Sequence, residues 1–184
     1  DCINKKHQHN KHSKIKPHTD LTYTSGNIKI FLTDHTNHLK PNRLGNSEVC
    51  KELVRQIDKS KSTIDIAIYG YDRVPKIEHA LKRAIARGVK VRLIHDTDTK
   101  SGNIYANTSY FAKLIKNTST DIAPQQAKDK RSYTNAIMHN KFYIFDKERI
   151  MTGSANLSHT DMSDYNSNCV LLINSKQIAQ IYNL

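Results

Sequence analysis

Residues 63–94, TIDIAIYGYDRVPKIEHALKRAIARGVKVRLI, decide the fold. Ile64, Ile66 and Ile68 occupy alternate positions of Thr63-Ile64-Asp65-Ile66-Ala67-Ile68-Tyr69, so one face of an extended segment is apolar. Pro75 suits the first turn of a helix, where its missing N–H would have had no partner anyway. Ile77, Leu81, Ala84 and Ile85 recur at helical spacing and line that helix, and Gly88 ends it. Val89-Lys90-Val91-Arg92-Leu93-Ile94 is again extended. A strand, a helix and a strand in this order are joined by a crossover, which makes the strands parallel neighbours with the helix on one face of their sheet.

Outward from this unit the pattern continues. Ile28, Ile30 and Leu32 alternate with polar residues over 27–32, giving an earlier strand. Residues 33–46 are polar, carry Pro41 and Gly45, and read as a loop. Ser47 caps a helix running to Lys59, with Val49, Leu53 and Ile57 as its buried stripe. Downstream, residues 105–117 read as a helix with Phe111, Leu114 and Ile115 apolar. Residues 119–135 lack a period and read as a loop. Strands are expected over 141–145, 150–152 and 168–173, with a helix from Lys176 onward. The series implies an α/β fold: a sheet with a parallel core and helices on its faces.

The chain has 184 residues, enough for one domain with a core, and 37% are hydrophobic. Lys and Arg total 29 against 17 acids, a formal charge of +12. That excess favours polyanionic partners, nucleic acid (DNA or RNA) first and an anionic membrane surface second. Cys2, Cys50 and Cys169 are odd in number and irregularly spaced, which excludes a disulfide framework and a zinc signature. Cys169 opens the apolar run Cys169-Val170-Leu171-Leu172-Ile173 and reads as a core thiol. No apolar run approaches the length that spans a bilayer. The first residue is Asp and not Met, so a leader removed upstream is one expectation, and with it a bacterial envelope or periplasmic location.

Residues 1–25 read as a basic tail ahead of a domain over 26–184. Lys5, Lys6, Lys11, Lys14 and Lys16 alternate with His7, His9, His12 and His18, with too few apolar residues to fold alone. It reads as an electrostatic arm or a linker in preference to a His-rich metal site. His95-Asp96-Thr97-Asp98 follows the 89–94 strand, and carboxyl ends of parallel strands are where such sheets place ligands. A polar cap on the strand is preferred there over a metal site. In the 119–135 loop, Lys128, Lys130 and Arg131 either grip a phosphate backbone or sit solvated.

The chemistry concentrates in His139-Asn140-Lys141-Phe142-Tyr143-Ile144-Phe145-Asp146 and Gly153-Ser154-Ala155-Asn156. On a strand, His139 and Lys141 share a face, while Asp146, seven positions from His139, falls on the other. Asp146 is therefore a structural turn residue and not the partner of the histidine. Gly153 ends the next strand and is likewise structural. Ser154 and Asn156 offer a hydroxyl and an amide at the turn that follows. One nucleophilic ring surrounded by an ammonium, a hydroxyl and an amide suits a phosphate.

This spacing, His-x-Lys-x4-Asp-x6-Gly-Ser-x-Asn, resembles the signature of the phospholipase D superfamily, the HKD motif. Six fixed positions would match by chance in such a chain roughly a few times in a million. Residues 64–69, 80–84 and 87–91 are similar to the first half of single-motif members, among them small bacterial endonucleases. The resemblance implies an α/β/α sandwich around a mixed β-sheet, the phospholipase D-like fold, and a homodimer in which two motifs form one centre. It implies phosphodiester cleavage through a covalent phosphohistidine on His139. Lys141 and Asn156 would neutralise the phosphoryl oxygens and Ser154 would orient them, so that no metal or other cofactor is needed. In one respect the chain departs from the pattern. Members commonly carry a Glu that accepts from the catalytic histidine, and that place falls at Ser167 or Asn168, whose hydroxyl or carbonyl would accept more weakly.

Three functions compete: a nuclease, a phospholipase acting on a headgroup such as cardiolipin, and a nucleic-acid-binding module without catalysis. The charge of +12, with no Trp and four Phe to build an interfacial patch, favours the nuclease over the lipid enzyme. Intact His139, Lys141, Ser154 and Asn156 oppose the binding module.

Overall fold

A computed structural model of the chain describes residues 21–33, 45–97, 105–115, 117–122 and 137–182. Ten strands and four α-helices are formed among the described residues. The central sheet has eight strands in the order β1-β2-β10-β8-β7-β3-β5-β6. These are β1 (Leu21–Ser25), β2 (Ile28–Leu32), β3 (Thr63–Ile68), β5 (Lys90–Thr97), β6 (Asn117–Ile122), β7 (Phe142–Phe145), β8 (Arg149–Gly153) and β10 (Cys169–Asn174). β3, β5 and β6 run parallel, and β7 pairs antiparallel with β3. The sheet is therefore mixed, with the parallel core that residues 63–94 predict. A two-stranded parallel ribbon, β4 (Tyr71–Asp72) with β9 (Leu157–Ser158), stands apart from it.

Helix α1 (Glu48–Lys59) starts where Ser47 accepts from the Cys50 N–H at 2.9 Å, a cap worth about 1 kcal/mol. Its Val49, Leu53 and Ile57 are buried with Ile77, Leu81 and Ala84 of α2 (Pro75–Ala86) against Ile64, Ile66 and Ile68 of β3. Each such aliphatic side chain contributes roughly 1.5–3 kcal/mol by leaving water. Tyr143 and Phe145 of β7 face this core, while Ile144 and Ile150 face the other way, against Ala179 of α4 (Lys176–Ile181). Helices thus cover both faces, the α/β/α arrangement. Helix α3 (Thr108–Leu114) packs on the first face, where Phe111 stacks on Tyr71 with ring centroids 4.2 Å apart.

The structure corrects several expectations. β1 begins at Leu21, inside the stretch assigned to the tail, because Tyr23 and Ser25 pair across a hairpin with Ile30 and Ile28. Residues 1–20 lie outside the described residues. The 105–117 helix is shorter, and β6 occupies residues taken as loop: it is held by main-chain pairing to β5, which a side-chain pattern does not announce. Ile85 is 37% exposed, on the far side of α2. Cys169 is exposed at the start of β10, while Cys50 is the buried thiol, its pKa pushed up to about 12 by burial.

Gly153 shows why the strand must end in glycine. A Cβ there would stand 2.2 Å from the Cys169 carbonyl oxygen and 2.8 Å from the Val170 Cα, both main-chain atoms of β10. Gly153→Ala is expected to cost about 2 kcal/mol or more and to lower the melting temperature by several degrees, because backbone must move to admit the methyl group. An unchanged melting curve would refute this close approach.

Candidate active site

His139 and Lys141 lie just before β7, beside the carboxyl end of β3. Tyr69, the residue after β3, joins them. Its ring meets the His139 ring edge-on at 5.1 Å, and the Lys141 ammonium lies 5.6 Å from its centroid. Lys141 Nζ donates to the His139 carbonyl oxygen at 2.7 Å. Both residues precede the strand, one exposed and one buried, so what brings them together is the ring of Tyr69 and not strand alternation. His139 is exposed, whereas Lys141 is buried. Burial lowers the Lys141 pKa, and the Asp161 carboxylate opposes that drop.

His139 titrates below its ordinary value of 6.5. Desolvation is the first cause and the positive charge of Lys141 the second, with the Asp96 carboxylate pulling the other way. Both of these causes favour the neutral, nucleophilic form of the ring. Asp96 belongs to β5, which runs on through Thr97, so His95 and Asp96 are buried strand residues and not a loop after the strand. Asp96 Oδ1 accepts the Met138 N–H at 2.8 Å and so holds the main chain next to His139. His95 Nδ1 lies 2.8 Å from the Asp96 carbonyl oxygen. No cluster of three His, Cys, Asp or Glu able to hold a metal occurs among the described residues, and Asp98 lies outside them.

The second half of the motif is delivered by β8. The Gly153 N–H and the Thr152 hydroxyl both donate to the Lys141 carbonyl oxygen, at 3.4 and 3.1 Å, which ties the turn to the lysine. Ser154 Oγ donates to Asn168 Oδ1 at 2.8 Å and accepts the Cys169 N–H at 3.0 Å. Of Ser167 and Asn168, the two residues at the place where an acceptor for the histidine is expected, Asn168 accepts from Ser154. Asn156 Oδ1 is buried and has no hydrogen-bond partner among the described residues. The ribbon of β4 and β9 then carries the chain from Asn156 back to the residues that follow Tyr69. His159 closes it, with Nδ1 2.5 Å from Asp72 Oδ2.

Asp146 stands at the far end of β7. Its carboxylate accepts from the Lys61, Ser62 and Thr63 N–H groups and from the Ser62 hydroxyl at 2.8–3.2 Å, and it pairs with Arg149. It clasps the β7–β8 turn to the start of β3. Lys128, Lys130 and Arg131 lie outside the described residues.

Tyr69 and Asp161 belong to the site but escaped the sequence reading. Tyr69 had a usable signal, since it ends a parallel strand. Asp161 had none: its bond to the Asn156 N–H forms only when the loop after Asn156 folds back.

Comparisons with known proteins bear on the family and the fold. Residues 53–183 match the family described as cardiolipin synthase, PLD-like domain. A phospholipase D from Rickettsia prowazekii is 32% identical over 134 residues, which cover 72% of this chain and 58% of that protein. The chain thus spans less than two thirds of that relative. NucT from Helicobacter pylori superposes with a TM-score of 0.64 over 85% of this chain and 90% of its own, at 23% identity. Nuc from Salmonella typhimurium, a phospholipase D family member, gives 0.56 over 72% of this chain and 80% of its own, at 27% identity.

Proposed function

This chain belongs to the phospholipase D superfamily, and on that premise we propose that it is a metal-independent phosphodiesterase that cleaves nucleic acid at a site shared by two copies. One observation carries the reading: the His139 ring and the amine of the buried Lys141 both approach the ring of Tyr69. His139 attacks phosphorus, a P–N bond forms, and the P–O bond to the leaving group breaks. His139 of the second copy gives that oxygen its proton. Water then attacks phosphorus and passes a proton to the second histidine, and the P–N bond breaks. Lys141 and the Asn156 amide offset the charge that grows on the phosphoryl oxygens, and Ser154 holds the turn that aims them. With these cations and donors in place the step needs no metal.

Nucleic acid is preferred as substrate because the chain carries +12 formal charge. Such binding runs through phosphates, with little sequence preference. The name of the Rickettsia relative favours a second reading, hydrolysis of a phospholipid headgroup.

A substrate panel separates the two. Labelled single- and double-stranded DNA, RNA and cardiolipin-containing vesicles are incubated with the protein in EDTA, with sedimentation run on the same preparation. Cleavage of nucleic acid by a dimer, weakening steeply with salt, is the expected result. Hydrolysis of vesicles with nucleic acid untouched would transfer the assignment to lipid. Loss of activity in EDTA, restored by a divalent ion, would overturn the metal-free mechanism, and an active monomer would overturn the shared site.

A further inference from the structure

Asp161 opens the short 3-10 turn Asp161–Ser163 that follows β9 and is 2% exposed. A carboxylate is left so dry only where its oxygens are occupied. Asp161 Oδ2 accepts the Asn156 N–H at 2.7 Å, and Oδ1 accepts Asn166 Nδ2 at 2.5 Å. The Asp161 N–H in turn donates to Ser158 Oγ at 3.3 Å. The first of these bonds closes the five-residue loop after Asn156 onto Asn156 itself.

The same turn also reaches Lys141. Met162, the next residue, lines a small cavity of about 10 Å³ together with Lys141, Tyr143, Gly153 and Ala155. The lysine, the Gly-Ser turn and the Asp161 turn therefore share one wall. Among the described residues the titratable ones that bear on Lys141 are His139 and Tyr69 by contact, Tyr143 across the cavity, and Asp161 through its charge. The first contributes positive charge when protonated and the two phenols none near neutrality, so Asp161 is the anion of the set.

We propose that Asp161 is a positioning residue of this site: its carboxylate fixes the main chain of Asn156 and sets a buried negative charge on the turn that shares a wall with Lys141. The inference rests on the site reading above but not on the identity of the polymer cleaved. Its two parts separate chemically. An amide keeps an oxygen to accept from Asn156 and loses the charge, whereas a methyl loses both.

The test compares the parent with Asp161→Asn and Asp161→Ala. The readouts are kcat/KM against pH for bis(4-nitrophenyl) phosphate, the Lys141 pKa of the free protein from NMR of labelled lysine, and the melting curve. Asp161→Asn should stay folded, keep its rate within about threefold at mildly acidic pH, and move the alkaline limb to lower pH as Lys141 loses its proton sooner. Asp161→Ala should lose about tenfold or more at every pH, with Asn rescuing most of that loss. An alkaline limb and a Lys141 pKa unmoved in Asp161→Asn would overturn the proposal. Should that variant fail to fold, Asn166→Ala is titrated instead: removing the donor on Oδ1 leaves the charge in place, so the Lys141 pKa must hold or rise, and a fall would overturn the idea. An inactive parent whose Lys141 pKa still falls in Asp161→Asn would sink the phosphodiesterase reading alone.

Discussion

His139→Ala should give a folded protein with no more than a trace of the parental turnover, on polymer and on a small chromogenic phosphodiester alike. The expected loss is about a thousandfold or more, because in the proposed mechanism the ring is the nucleophile toward phosphorus. The fold should survive. His139 is exposed, and the hydrogen bond that anchors it uses its own carbonyl oxygen, which alanine retains. Rate and melting curve together check this. Turnover above a few per cent of the parent would remove His139 from the nucleophile role. A collapsed melting transition would instead make it a structural residue. The pH profile of the parent supplies the counterpart. Desolvation and Lys141 hold the His139 pKa below 6.5, so the acid limb of kcat/KM should fall there, with activity rising as the ring loses its proton.

Lys141→Ala is expected to cost about a hundredfold or more in kcat. Its ammonium is buried, and a charge facing the phosphoryl oxygens acts most strongly where water is excluded. The substitution has a second signature that simple loss of packing would not produce. Lys141 is one of the causes that lower the His139 pKa, so its removal should raise that pKa and shift the acid limb of the residual activity to higher pH. The sign is fixed: a neighbouring cation disfavours a protonated ring, and its loss lets the ring hold its proton to higher pH. A residual rate with an unmoved limb would mean that the two groups do not sense each other in solution. Kinetics across the acid range, with a melting curve on the same sample, decide it.

The sequence by itself determined the parts that repeat a pattern against a core. Ile64, Ile66 and Ile68, or Val49, Leu53 and Ile57, each recur with the period of their element, and burial of one face is what the period records. The spacing of six fixed residues was enough to point to the superfamily that the comparisons show. Strand β6 was not legible, because Asn117-Thr118-Ser119-Thr120-Asp121-Ile122 is polar and is held by main-chain bonds to β5. The two-residue strands β4 and β9 are too short to display any period. Only the tertiary structure decided that Tyr69 lies against both His139 and Lys141, that Asp96 holds the main chain before His139, and that Asp161 closes on Asn156. These residues come from β3, β5 and the loop after β9, and no local rule couples positions so far apart along the chain. The sheet order does so: it sets β7 between β3 and β8, and brings the ends of those strands to one place.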